Sequence, residues 1–264
     1  MDLGLEGKGV LVTGGSRGIG HAIALTCAKE GANVAICARG QENIDTTLTE
    51  LQAYTIQAFG QVADVTHQDE MEHFLAASAD ALGGIDIVVN NVGGSKGKGL
   101  LSSTDEEWIG TFDLNLFHTV RVIRAAVPHM QRNGGGSIVI ISSISGYKPS
   151  PSVQYGSAKA AEIFLSHALA LELAPFHIRV NAVCPGSVFF PGGGWERTQQ
   201  RDSERFQQFQ MEEFPLGRLG TPEEIARVVA FVASPAANWI NGAMVPVDGA
   251  QQQPSMFQKG PIWR

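Results

Sequence analysis

Short β-branched runs alternate along the chain with longer stretches in which apolar residues return every three or four positions, and the two periods predict two kinds of element. The runs fall at about 8–13, 33–37, 56–62, 86–90, 137–142, 178–183 and 243–247, and each reads as a strand. Ser137-Ile138-Val139-Ile140-Ile141 is apolar at consecutive positions, as expected where both faces of a parallel sheet are covered. Helical spacing fills about 18–30, 67–82, 105–132, 153–174 and 222–233. Gly31, Gly83 and Gly134 close the first three, where a glycine suits the helix end. Thr221-Pro222-Glu223-Glu224 opens the last with a capping hydroxyl, a proline and first-turn acids. This alternation predicts a doubly wound α/β fold, with a seven-stranded parallel sheet and helices on both faces, in one domain over residues 1–264. From about 186 to 215 the pattern dissolves into glycines, aromatics and Gln/Arg-rich sequence, which reads as a substrate loop or lid. From about 251 to 264 it lacks any period, and reads as a tail, frayed or packed on a partner subunit.

Composition narrows the function classes. With 44% hydrophobic and 17% charged residues, the chain can close a core without disulfides or metal. A formal net charge of -7 leaves no basic stripe for a phosphate backbone, so nucleic acid is not an expected partner. No long uncharged apolar run is present, so no membrane span is expected. Met1 to Glu6 shows no basic leader, and the expected location is cytoplasmic. Cys27, Cys37 and Cys184 stand singly in apolar surroundings, which predicts neither a disulfide nor a metal site.

Val10-Leu11-Val12-Thr13-Gly14-Gly15-Ser16-Arg17-Gly18-Ile19-Gly20 runs from a strand through a glycine-rich turn into a helix. Glycine lets backbone N–H groups approach a pyrophosphate, and the helix start adds unpaired donors and its positive dipole end. The spacing is Gly-x-x-x-Gly-x-Gly, not the dinucleotide fingerprint Gly-x-Gly-x-x-Gly, so the strand-turn-helix context carries the reading against that of a merely tight turn. No acid ends the second strand to hold an adenosine 2′-hydroxyl; Arg39 stands there, and Arg17 can add a second guanidinium. Such forks match a 2′-phosphate, so the expected cofactor is NADP(H), ahead of NAD(H). Asp64-Val65 after the third strand can meet the adenine amine or cap a helix. Asn90-Asn91-Val92-Gly93-Gly94 closes the fourth strand at the edge where doubly wound folds bind ligands, or forms an ordinary loop.

Tyr155-Gly156-Ser157-Ala158-Lys159 begins a helical stretch, which places the tyrosine and lysine on one face. A phenol that titrates near ~10 in water is a poor proton shuttle at neutral pH. An ammonium ~4 Å away at an effective dielectric of ~20 favours phenolate by at most about 4 kcal/mol, or about three pKa units. The pair therefore suits proton exchange with a carbonyl or alcohol oxygen. Ser143, closing the fifth strand, offers a hydroxyl to the same oxygen, with Ser142 as its neighbouring alternative. Asn115 is polar in an apolar helical stretch, and its side chain can bend the helix or hold a water that relays protons to Lys159. Phe189, Phe190, Trp195, Phe206 and Phe209 either wall a bulky apolar ligand or pack the lid.

Taken in order, Thr13-Gly14-x-x-x-Gly18-x-Gly20, Asn90-Asn91-x-Gly93, Asn115, Ser143, Tyr155-x-x-x-Lys159, Asn181, Pro185-Gly186 and Val247-Asp248-Gly249 resemble the short-chain dehydrogenase/reductase family over about residues 5–250. The resemblance implies a Rossmann-like, doubly wound, seven-stranded fold and a catalytic tetrad of Asn115, Ser143, Tyr155 and Lys159. It implies a cofactor cradled by Gly14, Ser16, Arg17, Gly18, Ile19 and Gly20, flanked by Arg39, Asp64, Val65, Asn91 and Gly93, and bounded by Tyr155, Lys159, Pro185, Gly186 and Val188. A homotetramer and a small-molecule carbonyl or alcohol substrate follow from the same likeness. The alternative within the family is a 3-oxoacyl thioester reductase, whose carrier protein would meet basic residues such as Arg121, Arg124 and Arg132 unless these simply face water. A non-redox relative or a dinucleotide sensor fits less well, since the glycine loop and tetrad are intact. The sequence departs from the family pattern at Val92 and at Phe189-Phe190-Pro191, where a threonine often touches the nicotinamide; this suggests an aromatic-walled pocket.

Overall fold

In the computed structural model, which describes residues 1–251, seven parallel strands form one sheet. They are β1 (Gly9–Thr13), β2 (Asn33–Ala38), β3 (Ala58–Val62), β4 (Ile87–Asn90), β5 (Gly136–Ile141), β6 (Ile178–Pro185) and β7 (Met244–Val247). Their order is β3-β2-β1-β4-β5-β6-β7, so the chain reverses its direction of travel across the sheet between β1 and β4. In such sheets a crevice opens outside the carboxyl ends of the strands at that switch point. Every predicted strand is present, with ends displaced by two residues or fewer.

Strand geometry explains the two-sided core. Val10 and Val12 point to one face and pack with Ile23, Cys27, Ile225 and Val229 from helices α1 (Gly18–Lys29) and α9 (Pro222–Ala233). Leu11, between them, points to the other and packs with Phe74 and Val122 from α3 (Gln68–Leu82) and α5 (His118–Arg132). Each such fully buried aliphatic side chain contributes about 1.5–3 kcal/mol. Consecutive apolar positions are thus required for burial on both sides.

Three helical features differ from expectation. Residues 41–51 form a helix, α2 (Gln41–Leu51), that the sequence pattern does not announce, because only Ile44, Thr47 and Leu51 are buried and threonines are weak helix formers. The single helix expected over 105–132 is divided into α4 (Asp105–Phe112), a π-helical turn at Asp113–Phe117 and α5. Residues 153–173 form α6 (Val153–Leu173) as anticipated. The expected irregular lid contains two helices, α7 (Gly194–Arg201) and α8 (Ser203–Glu213), gathered around an aromatic cluster. There Trp195 stacks on Phe209 at 4.6 Å and Phe206 is buried between Phe189 and Trp195. The expected tail lies outside the described residues beyond Gln251, which is buried and accepts from the Ser187 amide at 2.8 Å.

Arg179 of β6 closes α9. Its guanidinium donates to the carbonyls of Val232, Ala233, Ser234 and Ile240 at 2.9–3.1 Å, satisfying acceptors that a helix end leaves open. Arg179→Met is expected to lower unfolding stability by about 2–4 kcal/mol, since buried carbonyls lose their partner. Urea denaturation of both proteins measures this, and an unchanged midpoint would show that water replaces the guanidinium without loss.

Candidate active site

The crevice at the β1/β4 switch point is a cleft of about 850 Å³. Its floor is the turn between β1 and α1. Gly18 holds φ at +56°, a left-handed backbone that a side chain would strain, and a Cβ at Gly20 would fall on the Gly14 carbonyl oxygen. The turn therefore stays bare, and the start of α1 faces the cleft with its free amides. Asn91, directly after β4, braces it: its amide donates to the Thr13 and Gly14 carbonyls at 3.0 and 3.3 Å, while its backbone N–H donates to the Thr13 hydroxyl at 3.0 Å.

At one end of the cleft stand Arg17, Arg39, Asp64 and Val65. Both arginines are exposed, and among the described residues neither has a carboxylate at ion-pair distance. Asp64 accepts from the Thr66 amide at 3.0 Å and hydroxyl at 2.8 Å, so it does brace a turn while lining the cleft. Burial acts to raise its carboxyl, but the Thr66 hydrogen bonds and the Arg39 charge outweigh that and hold it below the ordinary range. Cationic donors at this end, a side-chain-free turn in the middle and polar groups beyond fit a dinucleotide in size and in chemistry.

At the other end, α6 carries Tyr155 and Lys159 into the wall, joined by Ser143 from the end of β5 and by Pro185, Gly186 and Val188 from β6 and the segment after it. The Lys159 ammonium lies 5.7 Å from the centre of the Tyr155 ring. It donates to the Ile141 carbonyl at 2.9 Å and to both carboxylate oxygens of Glu162 at 3.0 and 2.9 Å. Burial opposes its charge, yet the Glu162 carboxylate and Tyr155 together keep it above the usual lysine range. Ser142 is buried, its hydroxyl committed to the Lys159 carbonyl at 2.8 Å. Ser143 is half-buried and accepts from the Ser145 amide at 3.1 Å, which leaves its own proton to give.

Asn115 stands behind the cleft wall, fully buried in the π-helical turn. Its amide donates to the Thr111 carbonyl at 2.6 Å and the Gly94 carbonyl at 2.7 Å, and its oxygen accepts from the Gly94 amide at 3.2 Å. The expected helix distortion is present. The expected side-chain water is not what this arrangement offers, because Gly94 and Thr111 occupy the amide. Gly18 and Gly20 shape the turn beneath the floor without themselves lining the cleft.

The sequence pattern does not single out the wall residues Asn43 on α2 and Lys96 and Leu114 near the chemical end, nor Glu162, which is buried behind Lys159 rather than in the wall. Phe190 and Trp195 line the cleft, and the Phe190 ring lies against Gly18, so a Cβ there would stand 2.8 Å from it. Phe206 and Phe209 belong to the lid core instead. Arg121, Arg124 and Arg132 lie on α5 away from this cleft, Arg121 paired with Asp113 at 2.7 Å. No helix among the described residues is long and apolar enough to cross a membrane, and no cluster of metal-ligating side chains occurs among them.

A doubly wound sheet with a bare glycine turn and a tyrosine-lysine helix facing one cleft defines a nucleotide-dependent oxidoreductase. A family model described as enoyl-(acyl carrier protein) reductase matches residues 14–250. Human dehydrogenase/reductase SDR family member 4 is 37% identical over 247 residues, covering 93% of this chain and 87% of the relative. The chain belongs to the short-chain dehydrogenase/reductase family. Among solved structures, L-sorbose reductase from Gluconobacter frateurii complexed with NADPH and L-sorbose has a TM-score of 0.91 at 31% identity, covering 96% of this chain and 100% of that one. A 7α-hydroxysteroid dehydrogenase complexed with NADH and 7-oxo glycochenodeoxycholic acid has a TM-score of 0.88 at 30% identity, covering 96% and 98%.

Proposed function

We propose that this chain interconverts a ketone or aldehyde and an alcohol with NADP(H), Tyr155 exchanging the proton. The observation that carries the reading is the shared cleft: Arg17, Arg39 and the glycine turn at one end, Tyr155, Lys159 and Ser143 at the other. A bound nicotinamide supplies or accepts the hydride. Ser143 donates to the substrate oxygen and orients it. Tyr155 delivers the proton to that oxygen in reduction and removes it in oxidation. Lys159 keeps positive charge behind the phenol, and Asn115 acts at a distance by fixing Gly94 and the π-helical turn. An aromatic wall at Phe190 and Trp195 favours substrates with apolar bulk next to the carbonyl.

The 3-oxoacyl thioester alternative draws on a relative named 3-oxoacyl-[acyl-carrier-protein] reductase, 34% identical over 246 residues, but the arginines that would receive an acidic carrier lie away from the cleft. A homotetramer belongs to the same reading: Ile109, Phe117, Phe164 and Leu171 expose apolar side chains on the α4-to-α6 side, Leu171 at 81%. The cytoplasm fits three cysteines that are free and buried. The test is reduced-nicotinamide absorbance with a panel of ketones and aldehydes, NADPH and NADH in parallel. Consumption with NADPH that depends on a carbonyl substrate is expected. No consumption across the panel, or better rates with NADH, would count against the reading.

A further inference from the structure

The proton chemistry proposed for Tyr155 depends on the charge behind it, and that charge is not a lone ammonium. Lys159 and Glu162 are 2% and 1% exposed, three residues apart on α6, and form a buried ion pair. An ammonium has three N–H donors. Here the Ile141 carbonyl takes one and the two Glu162 oxygens take the others, at 2.9–3.0 Å. A ribose or water at Lys159 must therefore share a donor with Glu162. A cation held by a carboxylate also presents a dipole to its surroundings, and a dipole's field weakens faster with distance than that of a single charge.

We propose that Glu162 is a positioning residue: its carboxylate anchors the Lys159 ammonium, offsets the positive charge that reaches Tyr155, and so sets the pH range in which the phenol gives and takes its proton. The proposal rests on the oxidoreductase reading above. Other groups around the pair do not supply this function. Cys184 of β6 is pushed up to about 12 by burial and stays a neutral thiol. His118 at the start of α5 is pushed down to about 3, first by burial and then by Lys159, and stays a neutral imidazole. Asp113 in the π-helical turn is paired with Arg121 at 2.7 Å. Ser142, at the end of β5, carries no charge and donates to the Lys159 carbonyl. Fold stability alone does not call for a pair here, since replacing both partners of a buried pair by apolar residues is often neutral, whereas removing one partner leaves the other's charge uncompensated.

The sign follows directly. Negative charge near the phenol disfavours phenolate, so removing it shifts proton loss to lower pH. Reduction needs the protonated phenol and fails as pH rises through that titration; oxidation needs the phenolate and gains over the same range. Glu162→Gln and Glu162→Met keep the length of the side chain and remove its charge. In both, the limbs of the kcat/KM profiles for reduction and oxidation are expected to move to lower pH by about one unit. The ultraviolet absorbance of the Tyr155 phenolate, read without cofactor or substrate as a difference against the same protein carrying Tyr155→Phe, is expected to move equally. A folded variant in which the limb and the absorbance titration both stay in place overturns the proposal. Failure of both variants to fold overturns it too, because Glu162 then serves stability. The absorbance arm needs no turnover, so a shift there in a protein without redox activity would sink the proposed function and leave this inference standing.

Discussion

Replacing Tyr155 by phenylalanine is expected to lower kcat/KM for carbonyl reduction by about 10²–10⁴-fold while NADPH still binds. The phenyl ring keeps its place in the wall beside Lys159, so the cleft retains its shape. What disappears is the proton at the substrate oxygen. The loss corresponds to about 3–5 kcal/mol of transition-state stabilisation, which in the proposed mechanism a donor at Ser143 would not restore, because it would orient the oxygen without transferring a proton. Steady-state kinetics combined with cofactor binding by nucleotide fluorescence separate the two effects. A variant with full rate would show that another group, or water, supplies the proton, and the mechanism would have to be rebuilt around it.

The elements that position this chemistry differ in how they announce themselves. β1, β4 and β5 are buried on both faces, so their composition is nearly all aliphatic and their ends coincide with glycine, asparagine and serine at the cleft. That is why the glycine turn, Asn91 and Ser143 could be placed from residue order alone. The tyrosine-lysine pair was legible because helical spacing converts four residues into one shared face. Helix α2 was not, since a stripe of three buried positions among threonines carries little periodic signal. Nor was the division of residues 105–132, because a π-helical turn differs from its neighbours by a single hydrogen-bond register; Asn115 was its only trace. The lid helices are held by contacts among aromatics distant from the sheet, which local propensity does not encode. Glu162 carries no distinguishing signal, because a glutamate in a helix is ordinarily solvated. Its spacing of three from Lys159 was visible, but burial of both was a consequence of where α6 packs on β6.

Preference for NADPH is expected to fall by roughly tenfold with each arginine removed when Arg17 and Arg39 are changed to alanine, singly and together, with NADH kinetics altered much less. Both guanidiniums line the same end of the cleft, and neither is occupied by a carboxylate at ion-pair distance among the described residues. Their donors are thus available to an anion. A 2′-phosphate is the one feature that separates NADPH from NADH, so an effect confined to NADPH assigns the arginines to that group, whereas an equal loss with both cofactors assigns them to the shared pyrophosphate. Exposure limits the size of the effect, because water and salt screen charges that are not enclosed. The discrimination should accordingly shrink as ionic strength rises, and more so in the parent protein than in the double variant, which has little left to screen. The ratio of kcat/KM for the two cofactors, measured at low and high salt, decides the matter. A ratio near one in the unmodified protein, or one that ignores both substitutions, would remove Arg17 and Arg39 from cofactor choice and leave Asp64 and the β2 edge as the place to look.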